Sequence, residues 1–193
     1  MMPLIEAKKS NTLHRTLNDF LQLTKFRLAI SVVISSLAGY LLASEQIEWD
    51  IISFLFLGGY AMVGASNAFS QWMERDLDAL MLRTQSRPLP SKRMQESTAL
   101  TIASGLTLLG ILFLGFVNFR TAFFGALSIF IYVCIYTPLK RKSPLAVFVG
   151  AFPGAIPFML GWVAATNKFG IEPGVLFMIQ FLWQFPHFWA IGW

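Results

Sequence analysis

Two acidic residues before the middle of the chain have the spacing of a metal site. Glu74 and Asp78 are four residues apart, and with Ser70 they would share one face of a helix. Like charges at this spacing destabilise a helix by roughly 0.2–0.5 kcal/mol, and a bound divalent cation would reverse that sign. Mg²⁺ suits the pair because it prefers oxygen ligands and usually binds one or two carboxylates plus substrate phosphates. The residues alone are equally compatible with a solvated helix end, where both carboxylates pair with Arg75 or Arg83.

Basic residues follow these carboxylates in a pattern that suits a diphosphate. Arg83 and Arg87 would lie one turn apart if the helix continued as far as Pro88, and guanidinium groups match phosphate oxygens bidentately. Later in the chain, Lys140 follows Tyr136 by one helical turn. The lysine could meet a phosphate, and the tyrosine could donate a hydrogen bond to it or face a developing carbocation. Taken alone, this pair is more typical of an anchor at a membrane interface.

A polar stripe lies near the end of the chain among Trp and Phe residues. Gln180, Gln184 and His187 recur at helical spacing, and polar groups inside a bilayer usually face a bundle interior or a cavity. His187 could bind a haem iron or a haem propionate. A histidine satisfied by a neighbouring helix is the alternative.

The elements that position these residues are membrane helices. Hydrophobic residues make up 55% of the 193 residues and charged residues only 13%, with a mean hydropathy of +0.60. Apolar runs near the ~20 residues of a membrane span occupy residues 28–44, 51–69, 98–117, 122–136, 145–165 and 175–193. They lack the period-2 alternation of a membrane β-barrel. We predict an all-α membrane bundle of six spans, with residues 1–18 as a flexible cytoplasmic tail and residues 19–193 as one domain.

The net charge of +5 reports membrane topology rather than nucleic-acid binding. All but two of the 15 basic residues precede the first span or lie in the loops after the second and fourth spans. The positive-inside rule therefore predicts that the N-terminus and these loops are cytoplasmic. The exceptions, Arg120 and Lys168, fall on the other side.

Together these motifs resemble the UbiA-type intramembrane prenyltransferase superfamily. The aspartate-rich motif of the superfamily matches residues 70–78, and its Tyr-xxx-Lys motif matches residues 136–140. Within the superfamily, residues 23–27, 83–89 and 183–190 resemble the haem O synthases, the protohaem farnesyltransferases. Ser70 stands where the family usually has Asn, and Glu74 where Asp is common.

The resemblance implies farnesyl transfer from farnesyl diphosphate to a vinyl group of haem b in a bacterial plasma membrane. It implies Mg²⁺ on Glu74, Asp78 and Ser70, with Tyr136 and Lys140 also catalytic. Residues that would bind the diphosphate are Lys25, Arg83, Arg87, Lys140 and Arg141, and those that would bind haem are His187, Gln184 and Asn67. Membrane lipid, and haem A synthase or assembly proteins of a terminal oxidase, would be partners.

Two other functions remain open from the sequence. One is a related enzyme that prenylates a quinone precursor such as 4-hydroxybenzoate, and the other is a non-catalytic membrane scaffold or inactive fragment. Because residues 190–193 are still apolar, we expect the sequence to be part of a longer protein. The resemblance implies about nine membrane helices, of which this chain would supply about six, with a second acidic motif after residue 193.

Overall fold

The computed structural model describes residues 15–192, and every regular element in this part is a helix. The helices are α1 (residues 15–23 of the described part), α2 (Phe26–Ala43), α3 (Trp49–Asp78), α4 (Glu96–Val117), α5 (Phe119–Phe130), α6 (Thr137–Leu139), α7 (Ala146–Thr166) and α8 (Ile171–Gly192). A π-helical segment, Ile131–Tyr136, joins α5 to α6. The all-α fold predicted from the sequence is confirmed.

Five helical segments within residues 15–192 are long and apolar enough to cross a membrane. They are Phe26–Ala43, Trp49–Asp78, Glu96–Val117, Phe119–Leu139 and Ala146–Thr166, and they cover the first five predicted spans. The sixth predicted span coincides with α8, which has 22 residues. The chain is therefore an integral membrane protein.

The predicted tail, residues 1–18, falls mostly outside the described residues. Its last four residues, 15–18, are helical and belong to α1, and the division at residue 18 stays a prediction. Helix α1 ends before Lys25, whose backbone is left-handed with φ 49° and ψ 58°. This residue turns the chain from α1 into the first span.

Helix α7 lies at the centre of the bundle, against α2 and α8. Its closest approach to α2 uses glycines on both helices, because a Cβ on Gly39 would overlap the carbonyl oxygen of Phe158 and a Cβ on Gly161 would overlap that of Ser36. Small residues let membrane helices approach this closely. The α2–α7 crossing fixes one wall of the molecule.

The Gly161→Ala substitution is expected to destabilise the protein by about 1–3 kcal/mol, since the α2 backbone would have to move. Gly115→Ala is the matched control, because a Cβ there meets nothing within 4 Å. Alanine is the better helix former, so this control should melt at the same temperature or slightly higher. Thermal unfolding in detergent measures the melting temperatures of both variants. Equal values for Gly161→Ala and Gly115→Ala would contradict the close approach of α2 and α7.

Helix α3 is too long to be contained within the bilayer. Its 30 residues extend for about 45 Å, whereas the hydrocarbon core is about 30 Å thick. If the helix enters the core near Trp49, the part that carries Glu74 and Asp78 projects past it. The acidic face of α3 lies in the last turns of the helix, beyond the length that the hydrocarbon core requires.

Candidate active site

The acidic face of α3 carries the three residues that the sequence placed together. Ser70 is buried, and its Oγ donates a hydrogen bond to Glu74 Oε2 at 3.0 Å. The side chain of Glu74 is 19% exposed and that of Asp78 is 5% exposed. Two carboxylates with so little access to water require positive charge nearby.

That positive charge comes from two separate segments of the chain. Lys140 Nζ lies 2.8 Å from Glu74 Oε2, and an Arg87 guanidinium nitrogen donates to Asp78 Oδ2 at 2.7 Å. Lys140 follows α6, whereas Arg87 lies in the loop between α3 and α4. The tertiary fold therefore assembles two neighbouring ion pairs on α3.

The ion pairs of an ordinary helix end, as considered from the sequence, are not the ones that form. Arg75 Nε lies 2.9 Å from Glu96 Oε1 and 3.9 Å from Asp76 Oδ1, so it pairs with neither Glu74 nor Asp78. Arg83 is exposed and has no ion pair among residues 15–192. Arg75 is committed to joining α3 to α4, which explains its absence from the site.

The helical spacing assumed for Arg83 and Arg87 was wrong. Helix α3 ends at Asp78, and residues 79–95 form turns. The carbonyl of Asp78 accepts a hydrogen bond from buried Thr84 Oγ1 at 2.9 Å, and buried Leu89 packs into a cluster with Leu23. These contacts fold the loop back over the helix end, so Arg87 reaches Asp78 while Arg83 remains in solvent.

Lys25 approaches the acidic face from the turn between α1 and α2. The pKa of Lys25 is lowered to about 8, first by burial and then by the positive charges of Arg87 and Lys140, against the opposing effect of Glu74 and Asp78. The charges of these four side chains therefore act on the Lys25 ammonium. Lys25, Arg87 and Lys140 thus form a group of three cations around the two carboxylates.

Tyr136 links this charged cluster to the interior of the bundle. The Lys140 ammonium lies 5.3 Å from the centre of the Tyr136 ring, and the Tyr132 ring is 5.1 Å from that of Tyr136. Both tyrosines belong to the π-helical segment, where the Tyr132 carbonyl accepts from the backbone N–H and side chain of Thr137. Pro138 has no N–H to donate to the carbonyl four residues earlier. The wider π-helical turn before it accommodates the missing hydrogen bond. Sequence reasoning missed Tyr132, although its spacing of four residues from Tyr136 was a usable signal.

An apolar cavity of about 250 Å³ lies between the helices and reaches the two tyrosines. Its lining includes Tyr132 and Tyr136 at one part and Met62, Leu114 and Ile156 at another. A Cβ on Gly150 would collide with the Tyr136 ring, so this glycine lets the tyrosine fit against α7. The cavity therefore offers an apolar volume next to the charged cluster.

The structure brings two of the three residues suggested for haem to one cavity and leaves the third outside the cavity lining. Asn67 and Gln184 line the cavity, but the Asn67 amide donates to the Thr24 carbonyl at 3.2 Å and Gln184 donates to that of Gly154 at 3.4 Å. His187 is exposed and is absent from the cavity lining, with its ring 6.1 Å from Phe188.

Arg141, the last residue suggested for the diphosphate, is exposed. It lines a surface pocket together with Glu74. It is therefore close enough to the carboxylate pair to extend the basic side of the site.

The donor set fits Mg²⁺ without forming a complete cage. Within residues 15–192 there is no group of three His, Cys, Asp or Glu side chains that could hold a metal ion. Mg²⁺ typically uses only one or two carboxylates, with phosphates and water supplying the other ligands. Glu74 and Asp78 each use one carboxylate oxygen in an ion pair, which leaves Oε1 and Oδ1 for the cation. Ser70 Oγ is already used as a donor to Glu74, so it orients that carboxylate.

Comparison with known proteins shows the family of the chain. The model of the UbiA prenyltransferase family matches residues 32–193. The chain is 66% identical over 177 residues to the protoheme IX farnesyltransferase of Christiangramia forsetii, covering 92% of this chain and 59% of that protein. It is 63% identical to that of Flavobacterium psychrophilum, covering 91% and 60%. The chain thus spans about three fifths of the length of the curated relatives that it matches.

Solved structures show the same fold. A digeranylgeranylglyceryl phosphate synthase superimposes with a TM-score of 0.79 at 21% identity, over 87% of this chain and 59% of that one. A UbiA homologue from Archaeoglobus fulgidus bound to GPP and Mg²⁺ superimposes with a TM-score of 0.75 at 15% identity, over 88% and 62%. The resemblance found in the sequence is confirmed, and this chain belongs to the UbiA prenyltransferase family.

Proposed function

We propose that this chain forms the prenyl diphosphate site of a protohaem IX farnesyltransferase, which transfers a farnesyl group to a vinyl group of haem b. The observation that carries the proposal is the pairing of Glu74 and Asp78 with cations from separate segments, next to an apolar cavity. The names of the most similar curated relatives support haem as the acceptor.

In the proposed reaction, the C–O bond between the farnesyl carbon and the diphosphate breaks, and the diphosphate leaves with the electron pair. A vinyl carbon of haem b forms the new C–C bond, and water adds to the neighbouring carbon with loss of a proton. Lys25, Arg87 and Lys140 bind the leaving group, because preorganised positive charge stabilises the charge that develops on it. Mg²⁺ held by Glu74 and Asp78 would neutralise further diphosphate charge.

The remaining parts of the site hold the farnesyl chain. Apolar residues such as Met62 and Leu114 line the cavity, where an isoprenoid chain would be kept away from water. Tyr132 and Tyr136 line this cavity, and the Lys140 ammonium lies over the Tyr136 ring. Aromatic faces attract cations, so these rings would stabilise the allylic cation at the reacting end of the chain.

We also propose the orientation of this site. The loops that carry Arg87 and Lys140 belong to the basic side of the chain, and this charge bias supports a cytoplasmic site and N-terminus in a bacterial plasma membrane. Haem A synthase and assembly proteins of a terminal oxidase are then the proposed partners, because they would use the product.

The acceptor is tested by supplying two substrates to the protein in membranes. With farnesyl diphosphate and Mg²⁺, we expect farnesylated haem from haem b and no product from 4-hydroxybenzoate, as measured by mass spectrometry. Product from the aromatic acid alone would replace haem with a quinone precursor as the acceptor. No product from either would leave the alternative of a non-catalytic scaffold or an inactive fragment.

The low pKa of Lys25 predicts a pH dependence of diphosphate binding. Because that pKa is about 8, Lys25 is charged below pH 8 and loses its charge as the pH rises through this value. Affinity should therefore be highest below pH 8 and fall by about tenfold by pH 9.5. Titrations of a non-hydrolysable farnesyl diphosphate analogue from pH 6.5 to 9.5 measure this fall. Lys25→Arg should flatten the profile, since arginine keeps its charge, and an equally steep profile in that variant would exclude Lys25.

A further inference from the structure

Lys25 lies on a turn whose backbone is held by two amide side chains of α3. The last turn of a helix leaves carbonyl groups without partners inside the helix, and α1 ends in this way at residues 22–24. Gln71 Nε2 donates to the carbonyls of Gln22 and Leu23 at 3.0 and 2.7 Å. Asn67 Nδ2 donates to the carbonyl of Thr24 at 3.2 Å. Three successive carbonyls directly before Lys25 are therefore bound by α3.

Both amides are buried inside the protein. Asn67 and Gln71 are each 1% exposed. Gln71 Oε1 is the buried side-chain oxygen that lacks a hydrogen-bond partner within residues 15–192. Rotating the amide would turn this oxygen toward the two carbonyl oxygens, which repel it. The orientation of Gln71 is thus dictated by its two bonds to the end of α1, at the expense of an unpaired oxygen.

The turn itself needs such support because its backbone is strained. Lys25 is one of three non-glycine residues with positive φ in the described part of the chain, and side chains with a Cβ disfavour that region. Thr24 adds a contact from its Oγ1 to the Tyr60 hydroxyl at 3.1 Å. Without the α3 contacts, the residue would relax to a conformation that directs its side chain elsewhere.

Helix α3 connects this turn to the carboxylates in a fixed geometry. Asn67 and Gln71 lie one turn apart, and their row is about 60° around the helix from the row of Ser70, Glu74 and Asp78. One row binds the backbone that carries Lys25, and the other presents the acids. One continuous helix therefore both holds the backbone turn that carries Lys25 and presents the carboxylates.

We infer that Asn67 and Gln71 are positioning residues, which hold the left-handed turn before α2 so that Lys25 points at the diphosphate site. The inference rests on the proposed function, because the ligand of Lys25 is the prenyl diphosphate of that site.

The inference is tested by a double-mutant cycle on binding of the non-hydrolysable farnesyl diphosphate analogue. Lys25→Ala should raise the Kd about 10- to 100-fold, the range for a charge-assisted hydrogen bond. Gln71→Met keeps the volume and removes the amide, and we expect it to raise the Kd about tenfold. If Gln71 acts through Lys25, the double variant binds no more weakly than Lys25→Ala. Asn67→Leu removes one hydrogen bond to the turn instead of two. We expect it to raise the Kd by less than Gln71→Met does, and to have no further effect in the Lys25→Ala background.

Asn118→Leu provides the matched control. The amide of Asn118 also donates to two carbonyls at a helix end, those of Val163 and Ala164, but it has no contact with Lys25. Its loss should lower the melting temperature without changing the Kd, and it should add independently to Lys25→Ala. The inference would be overturned by additive effects of Gln71→Met and Lys25→Ala on the Kd, or by an unchanged Kd in Gln71→Met. Either result would leave the proposed function standing. No analogue binding by the unaltered protein would overturn the proposed function and the inference with it.

Discussion

Glu74→Gln and Asp78→Asn are each expected to lower the rate of prenyl transfer by about 10²–10³-fold or more, equivalent to about 2.7–4 kcal/mol of transition-state stabilisation. Each substitution removes a carboxylate charge from the face that would hold the metal, and the side chain keeps its size. Each also removes the anionic partner of a cation, which is Lys140 for Glu74→Gln and Arg87 for Asp78→Asn. The unpaired cation should bind the substrate diphosphate at least as well as the paired one does, so we expect kcat to fall more than affinity.

Asp76→Asn is the control for this pair. Asp76 lies between the two acids in sequence, but its side chain is 86% exposed and points about 200° around the helix from Glu74. Rates measured with saturating farnesyl diphosphate over a Mg²⁺ titration separate the three variants. An Asp76→Asn defect as large as that of Glu74→Gln would show that the loss of activity reflects the charge of the loop and not a metal site.

Lys140→Met is expected to have the next largest effect, with kcat/KM lower by about 10²-fold. The Lys140 ammonium contacts Glu74 and lies over Tyr136, so it stands between the metal site and the apolar cavity. A cation at this position is best placed to stabilise the diphosphate as the allylic C–O bond breaks. The variant should therefore lose more in kcat than in KM for farnesyl diphosphate.

The neighbouring Lys142→Met serves as the comparison for Lys140→Met. Lys142 is exposed and lines the same surface pocket as Glu74 and Arg141, but it has no ion pair with Glu74 or Asp78 among the described residues, so its loss should change kcat/KM by less than about threefold. Single-turnover measurements distinguish chemistry from product release. Similar losses in both variants would mean that the general positive charge of this loop, and not the contact with Glu74, is what matters.

The membrane helices and the acidic face could be predicted from the sequence because they depend on local patterns. An apolar run of about 20 residues can satisfy its backbone in a bilayer only as a helix. Residues at a spacing of four share a helical face wherever the helix is placed. The spacing of Ser70, Glu74 and Asp78 therefore predicts their shared face without information from any other segment. The Tyr136–Lys140 spacing was equally local, although its π-helical backbone was not foreseen.

The partners of those carboxylates depend on contacts that no local pattern contains. The sequence favoured helical Arg83 and Arg87, but α3 stops at Asp78 because Thr84 binds its carbonyl and Leu89 packs in the core. Only the folded loop brings Arg87 to Asp78 and leaves Arg83 outside. Likewise, nothing in the sequence linked Gln71 to the end of α1.

By itself, then, the sequence determined an all-helical membrane protein with its acidic face and its family, since helix formation and membrane insertion are decided within single segments. The tertiary structure alone decided which cations meet Glu74 and Asp78, where the apolar cavity lies, and how α3 holds the turn of Lys25. These features join residues that are far apart in the sequence, such as Ser70 and Lys140, which are 70 positions apart. Such pairs form only when packing of the whole bundle offsets the entropy of bringing distant segments together.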